Sequence, residues 1–272
     1  MKTLYLSDLD GTLLGSNDRV SERTLDTVNR FIKEGGCFSY ATARSIVTAT
    51  KATAGLNREL PVICHNGTFI FGRSPEEILL ANYFASEKAA AIRRALREFE
   101  VLPMVYSFID GKERFSFLGC DMGDGLRKFL DSRIDDPRRR QVKSEGELFA
   151  GQVFYVTCKS DAQKLDPIYD RFKQDGDITC LYQRDLYSDA QLLELMPEKA
   201  TKANAALQLK TMLGCDRLIV FGDGLNDMSL FSVADECYAM ENAAPELKEI
   251  ATAVIGSNDI DGVALWLEEN AL

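Results

Sequence analysis

Leu4-Tyr5-Leu6-Ser7-Asp8-Leu9-Asp10-Gly11-Thr12-Leu13 stands near the N-terminus and decides the reading of the whole chain. Its apolar half reads as a buried strand over Thr3–Ser7. Side chains alternate faces along a strand, so Asp8 and Asp10 are expected to point the same way into the glycine turn. Two like charges at the end of a buried strand need a cation, and oxygen donors of this kind suit magnesium. A carboxylate so placed can attack a phosphoryl group, and its neighbour can carry the protons. A lone Asp-x-Asp is also a common acidic turn. The apolar strand before it favours chemistry.

Outward from this stretch, strands and helices alternate. Ser21 is a candidate cap for a helix over Glu22–Lys33, with Leu25, Val28, Phe31 and Ile32 on one face and Gly35-Gly36 as the stop. Strands follow at Cys37–Ala41 and Leu60–Cys64, with a helix over Ser45–Ala54 between them. This pattern predicts an α/β fold with a parallel sheet covered on both faces. Asn66-Gly67 predicts a tight hairpin between Val62–Cys64 and Thr68–Phe71. From Asn82 the character changes to hairpin-like strands and helices, with a charged, loop-rich stretch at Asp135–Lys143. We read residues 82–195 as an inserted domain and 1–81 with 196–272 as one discontinuous core. In the returning half, Thr201–Leu213 is a helix with Ala205, Leu209 and Met212 on one face, and Leu218–Phe221 is a wholly apolar strand.

Bulk properties narrow the function. The chain has 272 residues and a formal net charge of −10, which disfavours nucleic-acid binding. Its seven cysteines form no Cys-x-x-Cys pair and His65 is the single histidine, which argues against zinc. Such cysteines read as buried thiols in a reducing compartment. No apolar run reaches the roughly 20 residues of a membrane span, and no signal peptide is visible, so the expectation is a cytoplasmic protein.

Three more segments sit just past apolar strands, where ligands bind in open parallel sheets. Thr42-Ala43-Arg44 offers a hydroxyl and backbone N–H groups suited to phosphate, although a helix cap explains the threonine equally well. Lys202 opens a helix against the helix dipole and so calls for an anion such as phosphate or Asp8; Lys199 competes for this role. Phe221-Gly222-Asp223-Gly224-Leu225-Asn226-Asp227 crowds three oxygen-bearing side chains around a glycine turn, which suits a metal better than packing.

These four segments, in this order, resemble the haloacid dehalogenase superfamily of phosphotransferases, and most closely its Cof-type sugar-phosphatase branch, subfamily IIB. Ala239–Ala243 and the Asn258, Gly262-Val263-Ala264 pattern resemble that branch's C-terminal segments. The resemblance implies a Rossmann-like core with an inserted α/β cap that closes over the site and reads the substrate. It implies Asp8 as nucleophile, Asp10 as general acid/base, and Lys202 as a catalytic cation. Magnesium would be held by the Asp8 carboxylate, the Asp10 carbonyl, Asp223 and Asp227. Thr42, Ala43, Lys202 and Asn226 would hold the phosphate. Ala43 and Ala203 stand where the branch often has glycine, a small change that keeps the backbone N–H. Substrate contacts are expected from Arg44, Asn66 and Arg184, with His65, Asp185, Tyr187 and Asp189 as further candidates. The implied activity is hydrolysis of a small phosphorylated metabolite, a sugar phosphate, through an aspartyl-phosphate. A phosphosugar mutase and a non-catalytic phosphate-binding regulator are the alternatives. Oligomeric state is not legible.

Overall fold

A buried parallel sheet has to hide both faces, and the apolar runs of the first and last parts of the chain do so together. The computed structural model describes residues 1–119, 124–131, 133–184 and 190–272. Asp185, Tyr187 and Asp189 lie outside the described residues. Two units form: Met1–Ala81 with Ala200–Leu272, and Asn82–Lys199.

The first unit holds a parallel five-stranded sheet in the order Ala253–Ile255, Glu236–Met240, Arg217–Gly222, Thr3–Ser7, Cys37–Tyr40. In register, Ser7 lies opposite both Phe221 and Tyr40. The three central strands therefore end level, and the polar segments that follow them leave from one edge. A parallel bridge from Ala41 to Ile63 adds the strand Val62–Cys64 beside that edge. Leu4, Leu6, Leu218, Val220 and Phe221 are fully buried, as a sheet covered on both faces requires.

The helices start on caps that satisfy their first free N–H groups. Ser21 accepts from Thr24 N before the helix Glu22–Lys33, and Thr201 accepts from Asn204 N before Lys202–Met212. Four expectations need correction. The strand ends at Ser7, so alternation does not carry through to Asp10: Asp8 is buried, whereas Asp10 lies in the turn with its side chain exposed. Met212 is 47 % exposed, because it ends its helix and leaves the Ala205–Leu209 face. The hairpin loop is four residues, since Cys64 pairs with Phe69 and the turn runs through His65 and Asn66 at positive φ. Within Asp135–Lys143, Arg139–Val142 is a strand parallel to Lys112–Leu118.

The second unit is a six-stranded sheet in the order Ile178–Arg184, Gln191–Pro197, Gln152–Ser160, Met104–Ile109, Lys112–Leu118, Arg139–Val142. Adjacent residues of one strand feed opposite faces: Val105 joins a core with Ile92, Leu96, Leu165 and Ile168, while Met104 joins Phe115, Phe117, Leu126 and Leu130. Among the described cysteines there is no disulfide. Among the described residues no helix is long and apolar enough to cross a membrane.

Candidate active site

Asp8 prolongs the central strand by one residue, its N–H donating to Phe221 O at 2.9 Å. That bond fixes the backbone and delivers the carboxyl into the protein, where it is only 4 % exposed. Lys202 Nζ donates to Asp8 Oδ1 at 2.7 Å and to Asp227 Oδ1 at 2.7 Å. The lysine is itself 1 % exposed, at the first turn of its helix. Burial works against its charge, but Asp8 and Asp227 outweigh this and hold the ammonium above the ordinary lysine value.

The acids are less comfortable. Burial pushes the Asp8 carboxyl up to about 7; Lys202 draws it down and Asp227 raises it again. Burial likewise pushes Asp223 up to about 6, with a hydrogen bond from Thr12 Oγ1 at 3.0 Å opposing. Asp227 is fully buried. Its Oδ1 takes Lys202, and its Oδ2 takes the N–H groups of Asp223 and Gly224, both at 3.1 Å. So Asp227 shapes the turn that carries Asp223.

Close approach explains the glycine of the first turn. Gly11 has φ +72°, and a Cβ there would lie 2.2 Å from Asp223 Oδ2. The carboxylates of Asp8, Asp223 and Asp227 each offer an oxygen within 4.8 Å of the others. Three clustered carboxylates are the hard oxygen donors that a small divalent ion takes, so the set fits such an ion in donor type. A cation there also offsets three acids that share one ammonium.

Thr42 lies beside this group on the sheet edge. It is fully buried, and its Oγ1 accepts from Arg44 N at 3.1 Å, so its own hydrogen is the donor it brings to a ligand. The loop His65–Gly67 braces this segment: Asn66 N donates to Thr42 O and His65 N to Arg44 O, both at 3.0 Å. Gly67, at φ +98°, presses against the start of the lysine helix, where a Cβ would lie 2.1 Å from Thr201 O. One loop thus ties the threonine segment to the lysine segment. Asn66 Oδ1 is buried without a hydrogen-bond partner among the described residues.

The remaining expected residues are placed as follows. Asn226 is exposed, with its side chain over Gly224. Asp10 is exposed and paired with Arg44. Arg184 is exposed and ends a strand of the second unit. Two asparagines unmarked as site residues in the sequence brace the turn after Asp10. Asn242 Nδ2 donates to Gly11 O at 2.8 Å, and Asn258 Nδ2 donates to Leu14 O at 2.9 Å. Both belong to segments already marked by resemblance, which was the available signal.

Buried acids on a shared ammonium, a glycine turn against the third acid, and a buried threonine together make a recognisable edge. The sequence profile of the haloacid dehalogenase-like hydrolases matches residues 5–267. The chain belongs to this family. Among relatives of this haloacid dehalogenase-like hydrolase, the 5-amino-6-(5-phospho-D-ribitylamino)uracil phosphatase YwtE of Bacillus subtilis (strain 168) is 25 % identical over 281 residues, covering 96 % of each chain. A crystal structure from Thermotoga maritima superposes with a TM-score of 0.80 at 22 % identity, covering 100 % of this chain and 98 % of that one. A subclass IIB sugar phosphatase of the superfamily superposes at 0.73 with 19 % identity, covering 99 % and 98 %.

Proposed function

We propose that this haloacid dehalogenase-like hydrolase is a magnesium-dependent phosphomonoesterase acting on a small phosphorylated metabolite, a sugar phosphate. The observation that carries the reading is the buried Asp8–Lys202–Asp227 chain beside Asp223, on the edge that also bears Thr42. The relative that acts on a phosphoribityl compound and the sugar-phosphatase fold neighbour support the substrate class.

Asp8 attacks phosphorus through a carboxylate oxygen, and the bond from phosphorus to the ester oxygen breaks. Asp10 gives its proton to the departing alcohol oxygen. Water then attacks the aspartyl-phosphate, Asp10 takes the water's proton, and the Asp8 carboxylate is restored as inorganic phosphate leaves. Lys202, the Thr42 hydroxyl, the Ala43 N–H and Asn226 hold the phosphoryl oxygens and spread their charge. Asp8, Asp223 and the Asp10 carbonyl, with Asp227 in support, would hold magnesium, which when bound would supply positive charge against the dianionic substrate. The Asn82–Lys199 unit, with Arg184, supplies substrate selection, as does Asn66 on the first unit.

The test is p-nitrophenyl phosphate turnover by Asp8→Asn. Loss of turnover in a folded variant supports the reading, and undiminished turnover sinks it. A phosphate-release screen over sugar phosphates, nucleotides and cofactor phosphates then tests the substrate class.

A further inference from the structure

Asp10 stands apart from the other acids. The carboxylates that gather are those of Asp8, Asp223 and Asp227, whereas the Asp10 side chain is 49 % exposed. What holds Asp10 is Arg44. Its Nε donates to Asp10 Oδ1 at 3.0 Å and Oδ2 at 2.9 Å, and Nη2 also reaches Oδ1. A guanidinium that spans both oxygens fixes the plane of the carboxylate as well as its distance.

Arg44 is anchored in turn. Its backbone N–H donates to Thr42 Oγ1, and its carbonyl accepts from His65 N. The same Nη2 that reaches Asp10 also donates to Asp18 Oδ1 at 2.9 Å. Asp18 comes from a turn closed by Asp18 N to Gly15 O and Gly15 N to Arg19 O, both at 3.0 Å. The chain leaves Asp10, turns, and brings a second carboxylate back to the same arginine.

We infer that Arg44 is a positioning residue for Asp10, with Asp18 as the counter-anchor that keeps the guanidinium aimed. The inference rests on the reading that Asp10 carries the protons of the reaction. It replaces a substrate contact at Arg44 with a fixed bearing for the acid/base group. Lysine does not meet this need, because a point charge cannot span both oxygens.

The experiment compares wild type, Arg44→Ala, Arg44→Lys, Asp18→Asn and Asp10→Asn on p-nitrophenyl phosphate and on phenyl phosphate, whose leaving group needs its proton more. Arg44→Ala is expected to lower kcat by about 10²-fold with KM little changed, the scale of a misaimed acid/base group. The loss is larger on phenyl phosphate, Arg44→Lys does not restore it, and added guanidinium ion restores part of it. Asp18→Asn lowers kcat by about three- to fivefold, the size of a surface ion pair, and this arm stands if Arg44→Ala does not fold. A raised KM at unchanged kcat in Arg44→Ala, or no change in either Arg44→Ala or Asp18→Asn, overturns the inference. Full activity in Asp10→Asn instead overturns the reading beneath it.

Discussion

In the second unit Arg138 lies between Glu113 and Asp136; in the first, Lys202 lies between Asp8 and Asp227. Both put two acids on one cation, and Asp136 and Asp8 shift in opposite directions. Arg138 meets Asp136 through its backbone N–H, Nε and Nη2, and still reaches Glu113 at 2.8 Å. Although burial opposes it, these bonds hold the Asp136 carboxyl below the usual carboxylate range. Beside Lys202 a third acid, Asp223, joins the group, and Asp8 and Asp223 are pushed up. The Arg138 network leaves Asp136 at ease as an anion. The Lys202 cluster, with three acids around one ammonium, is short of positive charge.

The comparison breaks most sharply at Asp8. Asp8→Asn is expected to lower kcat by about 10⁴-fold or more, the scale of removing a nucleophile. Its melting temperature holds or rises, since one of three crowded acids is gone. Calorimetry beside a turnover assay reads both, and a large fall in stability contradicts the contrast. Arg138→Met does the reverse: it leaves the buried Glu113 and the partly buried Asp136 without their cation and costs about 3–5 kcal/mol in denaturant titration. A neutral result there shows that this pair, too, is dispensable for structure.

Metal sharpens the difference further. Magnesium at a hundred times its dissociation constant is expected to add about 2.7 kcal/mol to stability, and Asp223→Asn removes the gain. Chelation abolishes turnover in the same preparation. An identical magnesium response in wild type and Asp223→Asn removes Asp223 from the ligand set. Smallest is Asn242→Ala, which deletes the bond to Gly11 O and costs about 1 kcal/mol, with a few-fold fall in kcat/KM from a looser Gly11 turn.

Much of this arrangement was legible in the residues. Apolar runs ending in oxygen-bearing side chains gave the central strands, and Ser21 and Gly35 bounded the first helix because caps act locally. The site segments could be ordered along one sheet edge for the same reason. What was not legible depends on tertiary pairing. Arg139–Val142 reads as a charged loop, yet it pairs beside Lys112–Leu118, and the Arg139 guanidinium sits 4.7 Å from the Phe117 ring centroid. The His65–Thr68 loop hides two positive-φ residues that are not glycine. Gly262–Asn270 has no side-chain cap to announce it, although Val263, Ala264 and Leu267 are buried. Arg44 looked outward to substrate in the sequence, whereas its partners Asp10 and Asp18 come from another stretch of chain.

The central strand Thr3–Ser7 pairs on one side with Cys37–Tyr40 and on the other with Arg217–Gly222. During synthesis the first neighbour emerges early and the second only after the whole Asn82–Lys199 unit has been made. At roughly 5–20 residues per second, that interval is on the order of 10–40 s. For nearly all of it Asp8 has neither Lys202 nor Asp227 beside it. One late segment, from Lys202 to Gly222, thus both completes the pairing of Thr3–Ser7 and brings in the cation of the buried cluster.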